Sequence, residues 1–132
     1  MNEIDLRTVS TAALAYLGDS VLELYVRRTL VARGYGSSKS LNAHARHFVS
    51  APAQAAAMER LLPHLSGDEE AIFKRGRNIG HTRTPKNATV AEYRAATGME
   101  VLFGYLFATG DEIRLTELFK IGYDEAHYEN QT

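Results

Sequence analysis

Apolar residues recur at steps of three and four along almost the whole chain, and nowhere do they alternate convincingly with period two. That periodicity restricts the chain to a packing of helices, because a half-buried strand needs alternation. Six or so helices and no sheet are expected. Leu14, Leu17, Val21, Leu24 and Tyr25 form one stripe of a long first helix, capped by Ser10 or Thr11 and reaching Ala32. Gly34 can take the left-handed cap that stops it. A second helix runs from Ser38–Ser40 to Val49. Pro52 fits the first turn of a third, Ala53–Leu62, which Pro63 ends. Ser66 starts a fourth, with Asp68, Glu69 and Glu70 at the positive end of its dipole. Residues 80–88 lack periodicity, contain Pro85 and read as a loop. Thr89 and Glu92 have capping-box spacing for a helix to Ala108. Asp111–Lys120 is the last.

The fold class is therefore all-α, with residues 1–132 as one domain. The chain has 132 residues, 45 % of them apolar, enough for a real core. It has no cysteine, which removes disulfide frameworks, Cys-ligated zinc, iron–sulfur clusters and thiol nucleophiles. No apolar run approaches the ~20 residues needed to cross a bilayer. The acidic start Met1-Asn2-Glu3-Ile4-Asp5 is unlike a signal peptide. A soluble cytoplasmic protein without membrane association is the expectation.

Two acids sit in unusual company. Asp19 lies in Tyr16-Leu17-Gly18-Asp19-Ser20-Val21-Leu22, inside an apolar helix. Gly18 beside it costs about 1 kcal/mol relative to alanine, and a helix that accepts this usually needs close approach of a neighbour. Glu100 lies among apolar residues between Gly98 and Gly104. Each acid alone could face solvent, and Asp19 could cap another helix. Brought together, they would make a hard oxygen site for Mg2+, with waters completing the octahedron. Glu23, one turn after Asp19, could support that site or simply pair with Arg27. The histidines have no metal-binding spacing, and P-loop, GxGxxG and GxSxG patterns are missing.

The formal net charge of −1 is unpromising for binding nucleic acid. Its distribution is less so. Lys74, Arg75, Arg77, Arg83, Lys86 and Arg94 stand against Glu92 alone, while residues 111–132 hold six acids against Arg114 and Lys120. The basic run is either a solvated surface or a phosphate-binding one.

Tyr16–Leu22 resembles the signature of ribonuclease III, roughly E-R-L-E-F-L-G-D-S-V-L, and Ala96–Gly104 resembles its second acidic motif, roughly A-D-x-x-E-A-x-x-G. Val49-Ser50-Ala51-Pro52-Ala53-Gln54-Ala55, Lys74-Arg75-Gly76-Arg77-Asn78, and Pro85-Lys86-Asn87 with Tyr93-Arg94 are similar to the subgroup called Mini-ribonuclease III. This subgroup has the catalytic domain without a double-stranded-RNA-binding domain. The five stretches fall in the right order over residues 14 to about 107.

The resemblance implies a ribonuclease III-like helical domain that cuts double-stranded RNA to give 5′-phosphate and 3′-hydroxyl ends. It implies Mg2+, with Mn2+ as substitute, held by Asp19 and Glu100 as catalytic residues. The metal and a homodimer are the family's usual requirements. Lys74, Arg75, Arg77, Asn78, Lys86, Asn87 and Arg94 are the implied RNA contacts, and Glu23 and Thr97 could support the acids. The implied substrate is a stem of precursor large-subunit (23S) ribosomal RNA. The chain departs from the longer enzymes where Ala12, Ala15 and Thr97 stand in place of acids. A non-catalytic duplex-RNA binder of the same fold is the alternative, followed by a helical interaction module without a nucleic-acid partner.

Overall fold

A computed structural model describes residues 3–79 and 87–123. The described residues contain helices and no strand. In order these are α1 (Thr11–Ala32), α2 (Ser38–Val49), α3 (Ala51–Leu61), a 3-10 turn (Leu62–His64), α4 (Gly67–Arg77), α5 (Val90–Ala108) and α6 (Glu112–Gly122). The expected all-α class holds.

Local chemistry sets the boundaries. Ser10, Ser37 and Ser50 each accept a hydrogen bond from the backbone N–H three residues on, so each starts a helix. Ser50 does this one residue after α2 ends, and Pro52 sits in the first turn of α3, so two helices meet with almost no linker. Ser66 with Glu69 and Thr89 with Glu92 form complete capping boxes at α4 and α5. Gly34 follows α1 with φ of +93°, the left-handed conformation expected for it.

The organising element is α5. Ala96, Thr97, Met99, Val101, Leu102, Phe103 and Leu106 are all buried, so this helix is apolar around most of its circumference and lies inside the bundle. α1, α3 and α4 pack around it. Two crossings are close enough to exclude side chains. A Cβ on Gly104 would lie 2.1 Å from the carbonyl oxygen of Leu14, and one on Gly76 would lie 2.8 Å from the Cα of Gly98. α6 packs on α3. Beneath them Tyr123 donates a 2.6 Å hydrogen bond to the carbonyl of Phe48 at the end of α2.

One expectation is corrected. Leu24, expected in the buried stripe of α1, is 63 % exposed. The stripe that α1 buries comprises Leu14, Gly18, Val21, Leu22, Tyr25, Val26 and Leu30, and Leu24 falls beyond its edge.

Candidate functional site

The crossing of α1 and α5 brings the two unusual acids together. Gly18 is what permits it: a Cβ there would collide with the carbonyl of Glu100, so only glycine lets the helices touch at this point. Asp19, the next residue, then projects from α1 at the rim, exposed to solvent. Glu100 is half-buried on α5. Burial pushes the Glu100 carboxyl up to about 8, reinforced by the charge of Asp19 beside it and by a hydrogen bond between the two side chains. Carboxylates this close resist simultaneous ionisation unless a proton or a cation sits between them.

The donor set is two carboxylates facing each other, one of them open to water. That suits a hard divalent cation that keeps several waters, the habit of Mg2+. Among the described residues no group of three or more His, Asp or Glu side chains could close around a metal, so the protein would supply only part of the coordination.

The neighbouring candidates fall less directly on the acid pair. Glu23 is exposed and accepts a 3.3 Å ion-paired hydrogen bond from Arg27, the pairing expected as the alternative to a supporting role at the acids. Thr97 is buried one turn before Glu100, and its hydroxyl donates to the carbonyl of Tyr93 at 3.1 Å. It thus fills its position with a group satisfied inside its own helix.

The basic residues cluster at the end of α4. Lys74 pairs with Glu70 at 3.1 Å on the helix surface. Arg75 donates to the hydroxyl of Thr11 at 3.0 Å, which ties the end of α4 to the start of α1. Arg77 bonds the side chain of Asn78 at 3.3 Å and lies over the ring of Phe73. Asn78 ends α4. Asn87 and Arg94 are exposed. Arg94 is six residues before Glu100, about 9 Å along α5. Lys86, with His81 and Arg83 of the expected loop, lies outside the described residues.

Sequence reasoning missed the second glycine pair, Gly76 and Gly98, which seats α4 and its basic end on α5. A glycine interrupting each helix was the available signal, the same one that marked Gly18.

Residues 12–111 match the family model described as a ribonuclease III domain. That span holds Asp19, Glu100 and the whole basic segment. The Mini-ribonuclease 3 of Symbiobacterium thermophilum is 43 % identical over 117 residues, covering 89 % of this chain and 90 % of that one. The Mini-ribonuclease 3 of Enterococcus faecalis is 44 % identical over 116 residues, covering 86 % and 88 %. Among solved structures, the crystal structure of a protein from Fusobacterium nucleatum is similar with a TM-score of 0.81 at 28 % identity, covering 90 % of this chain and 97 % of that one.

Proposed function

The chain belongs to the ribonuclease III family of endoribonucleases, and from that premise we propose that it hydrolyses double-stranded RNA with Mg2+ held by Asp19 and Glu100. The observation that carries the reading is the pairing of these two acids at a glycine-enforced helix crossing. The cation, when bound, supplies a Lewis acid for the phosphodiester and lowers the pKa of bound water. Asp19, exposed at the rim, and Glu100, half-buried in the crossing, would be the residues that hold the ion, Glu100 as its carboxylate. Hydrolysis leaves a 5′-phosphate and a 3′-hydroxyl.

The RNA contacts are assigned to Lys74, Arg75, Arg77, Asn78, Lys86, Asn87 and Arg94. Duplex RNA is met mainly through phosphates and 2′-hydroxyls, which flexible cations and amides can reach. With the basic surface this small, affinity is weak, and because it rests on phosphate contacts it falls with salt in proportion to their number. The substrate we assign is a stem of precursor 23S ribosomal RNA, on the strength of the likeness to Mini-ribonuclease 3 over most of the chain. The setting is cytoplasmic. No helix among the described residues is long and apolar enough to cross a membrane.

The working form we propose is a homodimer. Leu24 and Phe107 are 63 % and 45 % exposed and line one cleft between α1 and α5. Tyr16 and Ile113, each 84 % exposed, add apolar surface on α1 and α6. Exposed apolar area of this kind is a common mark of a protein contact.

The test is cleavage of a long duplex RNA at low salt, with Mg2+, with EDTA, and by Asp19→Asn and Glu100→Gln. Cuts that need Mg2+ and vanish in both variants establish the reading. A salt-sensitive gel shift without cuts would make the chain a duplex-RNA binder, with Ala15 and Thr97 the missing acids. Neither cuts nor shift would sink the RNA reading.

A further inference from the structure

Two features join the basic end of α4 to the helices that carry the acids. The first is a glycine crossing. Gly76 is the middle residue of Lys74–Asn78 and packs directly on α5: a Cβ there would lie 2.8 Å from the Cα of Gly98 and 2.7 Å from Cγ2 of Val101. Gly98 also meets Phe73, one turn before Gly76. A Cβ on Gly98 would lie 2.6 Å from the Phe73 ring and 2.8 Å from the Phe73 carbonyl oxygen. The Arg77 guanidinium lies over that same ring, 5.8 Å from its centroid. Gly98 precedes Glu100 by two residues, about 3 Å along α5. One short stretch of α5 is thereby gripped twice, by α4 at Gly98 and Val101 and by α1 at Glu100 and Gly104.

The second feature is polar. Arg75 donates a 3.0 Å hydrogen bond to the hydroxyl of Thr11. Thr11 is the first residue of α1, eight residues or about 12 Å before Asp19. α4 packs chiefly on α5 and only lightly on α1, so this bond restrains α4 from pivoting about its glycine crossing. Arg75 is exposed, and the bond adds little to the core.

Helices in contact through main chain have no compliant side chain between them to absorb a displacement, so a shift of one is passed to the other. Position matters to chemistry more steeply than to binding. Exposed cations reach a phosphate from many orientations, whereas a reacting bond misplaced by about 1 Å can lose about a hundredfold in rate.

We propose that Gly76 and the Arg75–Thr11 hydrogen bond are positioning elements for cleavage: they hold the RNA-binding end of α4 at a fixed offset from Asp19 and Glu100, so that a duplex gripped by α4 presents a phosphodiester to the acids. The inference rests on the cleavage reading above and assigns to Gly76 and Thr11 a role that involves no contact with RNA.

The experiment measures three quantities on the full chain with one defined duplex RNA at low salt. These are the single-turnover cleavage rate at saturating protein with Mg2+, the duplex affinity by gel shift in EDTA, and the melting temperature. Gly76→Ala is expected to keep duplex affinity within about twofold, because the phosphate contacts remain. Its saturated rate is expected to fall by about tenfold or more. Thr11→Val removes the acceptor of Arg75 at the helix surface and is expected to lower the saturated rate about threefold. Thr11→Ser keeps the hydroxyl and is expected to match the parent. Leu118→Ala, in the buried core of α6, is the control for stability alone. It is expected to lower the melting temperature and to leave the saturated rate unchanged where the protein is folded.

A Gly76→Ala protein that cuts at the parent's saturated rate overturns the proposal, and so does a Thr11→Val rate equal to that of Thr11→Ser. A rate that falls as far in Leu118→Ala as in Gly76→Ala also overturns it, since stability alone then sets the rate. Where Gly76→Ala does not fold, the two Thr11 variants decide. A parent that makes no cuts fails the cleavage reading itself, whereas a cutting parent with unaffected variants fails this inference alone.

Discussion

The backbone of Gly18 rests on the carbonyl of Glu100 so closely that a Cβ on Gly18 would lie 1.6 Å from that oxygen. No rotamer change relieves such a contact, because the obstacle is main chain on both sides. Gly18→Ala is therefore expected to force α1 and α5 apart and to cost about 3 kcal/mol, the upper end for overpacking. It should also separate Asp19 from Glu100, so activity falls further than stability. Gly36→Ala is the control, since nothing stands within 4 Å of a Cβ there. Thermal melts that show equal, small effects for both substitutions would refute the role given to this crossing.

The raised pKa of Glu100 predicts how pH acts on the metal-free protein. In the folded state the carboxyl keeps its proton to about 8, whereas an unconstrained glutamate loses it near 4.5. This group's contribution to stability is thus fully present below 4.5 and drains away as pH rises through about 8. Glu100→Gln removes that slope and is expected to be more stable than the parent at pH 8.5 in EDTA. With metal the proton is the competitor. Apparent Mg2+ affinity should then rise by up to about tenfold per pH unit between pH 6 and 8. Melting curves and Mg2+ titrations across that window check both, and a flat affinity would count against Glu100 as a ligand.

How far such features could be read from the residues alone depends on the distance over which they act. Ser10, Thr89 with Glu92, and Gly34 act within four residues, and the helix boundaries they mark agree with the structure. The acid pair was half legible. A glycine beside Asp19 implied close approach of another element, but only the fold says that the element is α5. Leu24 was misassigned because three- and four-residue spacing gives the direction of a stripe and not its width. Glu69 looked like one of three dipole acids. Its burial against Arg114, 45 residues away, is a tertiary fact with no local signal.

Arg114 leads to the next prediction. Its guanidinium donates to both carboxylate oxygens of Glu69, at 2.8 and 2.7 Å, and to the carbonyl of His64 at 2.8 Å, and it also pairs with Glu117. It thereby joins α6 to the start of α4. Hydrogen bonding to Arg114 lowers the Glu69 pKa against the opposing effect of burial. That contribution is present above the ordinary glutamate range and is lost as pH falls through the lowered value. Arg114→Met strands a mostly buried carboxylate and is expected to cost about 1–3 kcal/mol at pH 7. Adding Glu69→Gln should recover part of the loss. A double variant as unstable as the sum of the singles would mean that the pair is not coupled.

The exposed apolar surface of α1 predicts an association defect. Leu24→Lys puts a charge on the cleft shared with Phe107 without touching the core. The parent is expected to sediment as a dimer at micromolar concentration, and the variant largely as a monomer with an unchanged melting curve at low concentration. A variant that remains dimeric would move the interface off this face.

Arg94 gives the cleanest test of the RNA surface. It is exposed and makes no ion pair among the described residues, so replacing it disturbs nothing in the fold. If it meets a phosphate, Arg94→Gln lowers affinity for all duplex sequences alike, and the slope of log affinity against log salt flattens by about 1. Lys74 is a harder case, because Glu70 already offsets its charge. Removing it should change the slope less, and Glu70→Gln should strengthen binding by freeing the ammonium. Gel shifts with Asp19→Asn protein over a range of salt separate these effects from cleavage. An unchanged slope in Arg94→Gln would remove that residue from the interface and leave the other assigned residues to carry it.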